Sequence, residues 1–201
     1  MSWIATIEPP AAEGRLKKTY DRVRGPDGQI DNILTAHSLR PHTLEGHMAL
    51  YKSVLHHAGN KISRRLLEAI GVYVSHLNGC AYCVEHHYAG LCRLLDDPER
   101  GPAIRRSLED QRPGRAFSGP ALAALKYAAR LTHDPGRIEE ADIAALRQAG
   151  FSDGEILEIN QVTAYFAYAN RMVLGLGIGL DGEALGHSPS QQSDSDDWSH
   201  R

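Results

Sequence analysis

The chain has 201 residues, 42% of them apolar, and a formal net charge of −3. That supports a sizeable core in one domain or two fused small units, and excludes a basic field that would attract nucleic acid or an anionic membrane. No run of eighteen apolar residues offers a membrane span, and the opening MSWIATIEPPAAEG lacks the pattern of a secretory signal, so a cytoplasmic protein with no nucleic-acid or membrane partner is expected.

Residues 1–8 read as an extended lead-in to Pro9-Pro10. Leu16, Tyr20 and Val23 have helical spacing, which Gly25-Pro26-Asp27-Gly28 stops. Asp31 or Asn32 can cap a short helix ending before Pro41. A further helix runs from about Pro41 to His57, with Leu44, Met48, Tyr51 and Leu55 on one face. Ser63 caps the next, which carries Leu66, Leu67, Ile70, Val74 and Leu77 until Asn78-Gly79 breaks it. A helix from Cys80 to about Leu95 follows.

Residues 98–110 read as a helix weakened by Gly101-Pro102, and 111–119 as a loop. Ala121 to Leu131, Glu139 to Gln148 and Asp153 to about Leu174 complete the helical segments, after which Gly175, Gly177 and Gly179 loosen the chain. No period-two segment is convincing, so the fold class is all-α with eight or nine helices. The expected division is one helical domain over 1–186, with an active half at about 31–97 and a degenerate half at about 120–182. The polar tail 187–201 is expected to be disordered. The degenerate half comes from a faint repeat: laid on the first copy with an offset of ninety, Glu158 falls under Glu68 and Asn170 under Cys80. Two amphipathic helices that merely share a serine cap are the other reading of the same pattern.

The chemistry concentrates in EAIGVYVSHLNGCAYCVEHH, from Glu68 to His87. Three cysteines in such a chain do not form a disulfide scaffold, and Cys80-x-x-Cys83 indicates redox chemistry or metal binding. Cys92 reads as a small buried hydrophobe. The break at Asn78-Gly79 puts Cys80 and Cys83 in the first turn of a helix, where unpaired N–H groups and the dipole favour a thiolate. Positions 80, 83 and 87 fall at about 0°, 300° and 340° around the helix, on one face. His87 can act as base on Cys83, and Glu68, across an antiparallel hairpin, can orient the ring. Such a set suits attack of a thiolate on an O–O bond, then disulfide formation and reset by an external dithiol. Tyr82 and His86 flank the pair as candidate pocket residues, or as groups facing a neighbouring subunit. His37, His42, His47, His56, His57 and His76 read as surface or satisfied core groups.

The pattern E-x11-C-x2-C-x3-H formed by Glu68, Cys80, Cys83 and His87 resembles the active-site pattern of the alkylhydroperoxidase D branch of the carboxymuconolactone decarboxylase superfamily. The stretches NILTAHSLRPHTLEGHMALYKSVLH (32–56), VSHLNGCAYCVEHH (74–87), LTHDPGRI (131–138) and AYFAYANRMVLGLGI (164–178) are similar to peroxidase-related members, over about residues 3–182. The resemblance implies an all-helical, homo-oligomeric enzyme, a trimer or hexamer, that reduces organic or hydrogen peroxides in antioxidant defence without cofactor or metal. It implies Cys83 as peroxidatic thiol, Cys80 as resolving thiol, His87 and Glu68 as proton relay, and a dithiol protein of the dihydrolipoyl type as reductant. Tyr82 departs from the best-studied members, which carry histidine there. The competing readings are a non-redox decarboxylase or isomerase using His87 and Glu68, and a helical binding module whose zinc is held by the cysteines, His87 and Glu68 or His86.

Overall fold

The structure, a computed structural model, describes residues 2–189 and 197–199. Among these there are nine α-helices and no strand: α1 (Gly14–Val23), α2 (Asn32–Thr35), α3 (Pro41–Tyr51), α4 (Arg64–Leu77), α5 (Ala81–Arg93), α6 (Arg100–Glu109), α7 (Gly119–His133), α8 (Glu140–Gln148) and α9 (Asp153–Leu176). The all-α expectation holds, and none of these helices is long and apolar enough to cross a membrane.

Helix α4 is the axis of the fold, packing against α5, α7 and α9. Every residue from Leu67 to Ser75 is buried, as a helix enclosed on all sides requires. Ala69, Gly71 and Ser75 are small enough to let neighbouring helices approach α4. At Gly71 the approach is closest, since a Cβ would lie 2.3 Å from the Phe166 ring of α9. Ser63 and Ser152 cap α4 and α9 by accepting from Leu66 N–H and Glu155 N–H. Glu158, which the repeat lays under Glu68, accepts from Lys61 and Ile62 N–H at 2.9 and 2.8 Å, and so fixes the lead-in to α4.

Two boundaries differ from expectation for physical reasons. The helix expected from Pro41 to His57 is α-helical only to Tyr51 and finishes as a π-turn over Lys52–His56. Pro102 does not weaken α6, because it falls in the first turn, where backbone N–H groups have no intrahelical partner to lose. Of the tail expected to be disordered, 190–196 and 200–201 lie outside the described residues. The described parts make contacts: Ser188 accepts from Arg64 at 3.0 Å, and Trp198 is buried with Arg22 3.7 Å above its ring.

Candidate active site

Helices α4 and α5 form a tight hairpin because Asn78 C-caps α4 and Gly79, at φ 72°, turns the chain through the left-handed region. Cys80 then takes the N-cap position of α5, one residue ahead of the expected first turn, and Cys83 stands at N3. The two sulfurs are 3.0 Å apart, and both residues are buried. Their ionisation is shared. The Cys83 thiol, its N–H group and the Asn170 amide pull the Cys80 pKa down against the effect of burial. The neighbouring Cys80 and burial push Cys83 up. The two thiols therefore titrate as a pair, with Cys80 the more acidic member.

The Glu68 carboxylate, 2% exposed on α4, accepts from His87 Nδ1 at 2.7 Å. An ionised carboxylate only accepts, so Nδ1 carries the proton and Nε2 is the basic nitrogen. Arg64 lies 3.8 Å from the other Glu68 oxygen. Gly90 leaves room for this carboxylate, which a Cβ there would meet at 3.6 Å. Phe166 meets the His87 ring edge-on at 4.5 Å and fixes its plane.

Glu68, Cys83, His87, Tyr82 and His86 all line one cavity of ≈ 40 Å³, and Cys80 lies behind Cys83 without bordering it. Tyr82 and His86 are thus wall residues. Both are committed to Glu183: His86 Nε2 is 2.6 Å from it and the Tyr82 hydroxyl also bonds it. The Tyr82 hydroxyl further accepts from Ile33 N–H at 3.3 Å. Tyr82 is therefore held by Glu183 and Ile33.

The rest of the wall comes from elements that sequence reasoning left out. Tyr51 on α3 and Tyr165 on α9 stack at 5.5 Å, and burial drives both hydroxyls far above the ordinary tyrosine range, so they remain neutral. His47, read from sequence as a surface or core group, also lines the cavity, 3.4 Å from the Tyr165 hydroxyl. Asp31 lines it as well, and burial pushes its carboxyl up to about 7. A C-terminal strap closes the cavity with His187 and Ser188. It begins where Gly177 ends α9 in a left-handed turn. Glu183 holds it by accepting from Asn32 N–H, and Arg93 by donating to Leu185 and Gly186 carbonyls. Gly186 sits where a Cβ would be 2.9 Å from Ala89. Cys92, expected to be buried, is half-buried and lies outside this site. Among the described residues no group of three or more His, Cys, Asp or Glu side chains is arranged to hold a metal ion.

Residues 41–107 match the model of the carboxymuconolactone decarboxylase family. Among solved structures, the chain is similar to an alkylhydroperoxidase AhpD core, an uncharacterized peroxidase-related protein from Ralstonia eutropha JMP134. That match has a TM-score of 0.77 and 24% identity, over 90% of this chain and 93% of the other. A peroxidase-related protein from Silicibacter sp. TM1040 gives a TM-score of 0.73 and 27% identity, over 87% and 91%. The debrominase Bmp8 gives 0.68 at 17% identity, over 88% and 91%, a likeness of fold alone. No curated protein matches the chain.

Proposed function

We propose that this chain, a member of the carboxymuconolactone decarboxylase and AhpD-like superfamily, is a thiol-dependent peroxidase in which Cys83 attacks and Cys80 resolves. One observation carries the reading. Cys83 and the Glu68–His87 pair face the same cavity, while Cys80 waits 3.0 Å behind Cys83. His87 Nε2 takes the proton of the Cys83 thiol, leaving a Cys83 thiolate at the cavity. That thiolate takes the terminal oxygen of R–O–O–H and becomes a sulfenic acid. The O–O bond breaks, and a proton delivered through His87 leaves with the alkoxide as R–OH. Cys80 then attacks the sulfenic sulfur and expels water, giving a disulfide. An external dithiol returns two electrons and two protons by exchange. Glu68 keeps Nδ1 of His87 protonated throughout, so that Nε2 does the proton work.

The cavity of ≈ 40 Å³ has room for about three waters, at the roughly 10–15 Å³ of such space that each one needs. Hydrogen peroxide therefore fits as it stands, and a bulky organic peroxide needs the strap displaced. The family resemblance supports a dihydrolipoyl-type protein as reductant, assembly of like chains, and no bound cofactor. A reduced thiol pair suits the cytoplasm.

Dehalogenation is a second reading. It draws on the fold shared with the debrominase, solved also as a cysteine-to-alanine variant in complex with 2,3,4-tribromopyrrole. The aromatic wall of Tyr51, Tyr82 and Tyr165 favours it, and the cavity volume weighs against it. Reduced protein mixed with hydrogen peroxide, cumene hydroperoxide or a bromopyrrole, followed by thiol counting, separates the two. Loss of two thiols per chain with peroxide, abolished by Cys83→Ser, is expected. Peroxide that leaves the thiols untouched refutes the reading, and so does a Cys83→Ser variant that consumes peroxide as wild type does.

A further inference from the structure

The groups used so far, Cys80, Cys83, His87 and Glu68, all belong to the α4–α5 hairpin. The Cys80 turn of that hairpin is met from outside by a polar side chain, Asn170 on α9. It is 1% exposed, between buried Phe166 one turn before and Val173 one turn after. A carboxamide in such a stripe is tolerated only when its hydrogen bonds are made. Asn170 makes them to the last turn and the C-cap of α4, just before Cys80. Its Oδ1 accepts from Asn78 Nδ2 at 2.9 Å, and its Nδ2 donates to the Ser75 hydroxyl at 3.0 Å. Ser75 in turn accepts, at its carbonyl, from Cys80 N–H at 2.9 Å. The amide thus fixes the end of α4 from which the chain turns to Cys80.

A primary amide has a second N–H. Val173 packs with Cys80 and Cys83 in one apolar cluster, which turns this face of α9 toward the sulfurs. The Asn170 amide favours the ionised form of each sulfur. We propose that Asn170 is a positioning residue for the thiol pair, fixing the turn that places Cys80 and donating to whichever sulfur carries the charge. A neutral donor suits that task. It does not titrate, and it does not trap the charge on one sulfur as a lysine or arginine does. In the ninety-residue offset Asn170 stands at the place of Cys80.

The inference rests on the thiol pair being the reacting group, and its test needs no peroxide. The titratable groups packed around the sulfurs are His86 and His87 on α5, Glu68 on α4, Tyr51 on α3 and Tyr165 on α9. Across the cavity stand Asp31 and Glu183. Asn170→Leu keeps the branching and approximate size of the side chain, removes the donor, and adds no charge to this set. The readout is the rate of iodoacetamide alkylation of the full chain against pH, in a Cys92→Ser background.

The pH midpoint of the faster thiol is expected to rise by about one unit, which is about tenfold less thiolate at neutral pH. Asn170→Ser retains a hydroxyl donor and is expected to shift it by less. Ser75→Ala, which removes the other partner of the amide, is also expected to shift it by less than Asn170→Leu. An unchanged midpoint in folded Asn170→Leu overturns the proposal. If that variant does not fold, a midpoint in Asn170→Ser equal to wild type overturns it instead. A shifted midpoint in a protein that consumes no peroxide leaves this inference standing and refutes the peroxidase reading.

Discussion

Glu68→Gln tests the relay with the least disturbance. The glutamine keeps the shape of the side chain and an oxygen to accept from His87 Nδ1, but removes the negative charge. The contact is 2.7 Å long between side chains only 3% and 13% exposed, so solvent screens it little. A hydrogen bond to a charged partner contributes about 1.5–3 kcal/mol where a neutral one contributes about 1. Loss of the charged part, about 0.5–2 kcal/mol, should slow Cys83 oxidation about two- to thirtyfold. The assay is stopped-flow mixing of reduced protein with excess hydrogen peroxide, read as thiol loss at pH 7. Glu68→Ala is the contrasting variant. It takes the carboxylate from between His87 and Arg64, which leaves His87 Nδ1 without its acceptor, a change that costs about 3–5 kcal/mol in a buried site. It should therefore lose stability as well as rate, whereas Glu68→Gln should melt within a few degrees of wild type. A Glu68→Gln protein that reacts within twofold of wild type would falsify the relay.

Gly71→Ala places a methyl group 2.3 Å from the Phe166 ring. Overpacking of that kind costs about 1–3 kcal/mol, so the melting temperature should fall by roughly 3–10 °C; an unchanged value would show that α9 shifts freely. The Asp31 pKa, raised to about 7 by burial, sets a pH dependence of stability. The folded state binds this proton more tightly than the unfolded chain, whose pKa is about 3.9. Stability from this group is therefore full below about pH 4 and is lost as pH rises through about 7. Asp31→Asn should then stabilise the protein at pH 8 by on the order of 4 kcal/mol, with the difference vanishing toward pH 4. Melting curves of both proteins across that range check it, and a difference that grows toward acid pH would contradict it.

The reacting residues could be read from sequence because they are local. Asn78-Gly79 marks the turn, Ser63 marks the start of α4, and the spacing from Glu68 to His87 closes by one hairpin. What surrounds them arrives through packing of distant helices, which periodicity records only as apolar stripe. Tyr51 was counted on the core face of its helix, yet it forms the cavity wall. Asn170 did carry a signal: a lone amide four residues after Phe166 and three before Val173, on a stripe that is otherwise apolar. The strap follows Gly175, Gly177 and Gly179, which in sequence show only a loosened chain. Its attachment depends on Arg93 and Arg64 binding a backbone carbonyl and a serine hydroxyl, partners that composition does not reveal. The half-buried Cys92 shows the reverse error, in which residue type was taken for location.

The close passage of α9 over Gly71 bears on how portable this site is. The four-residue motif is contiguous within Glu68–His87, so the hairpin from Arg64 to Arg93 looks like a cassette that could be grafted onto any helical scaffold. Yet the plane of His87 is set by Phe166, and the Cys80 turn is tied to Asn170, both on a helix some ninety positions away in the chain. Phe166 can approach only because position 71 has no side chain. The smallest transplantable unit is therefore three helices, α4, α5 and α9, with the glycine included. A two-helix graft would carry the letters of the motif and lose its geometry.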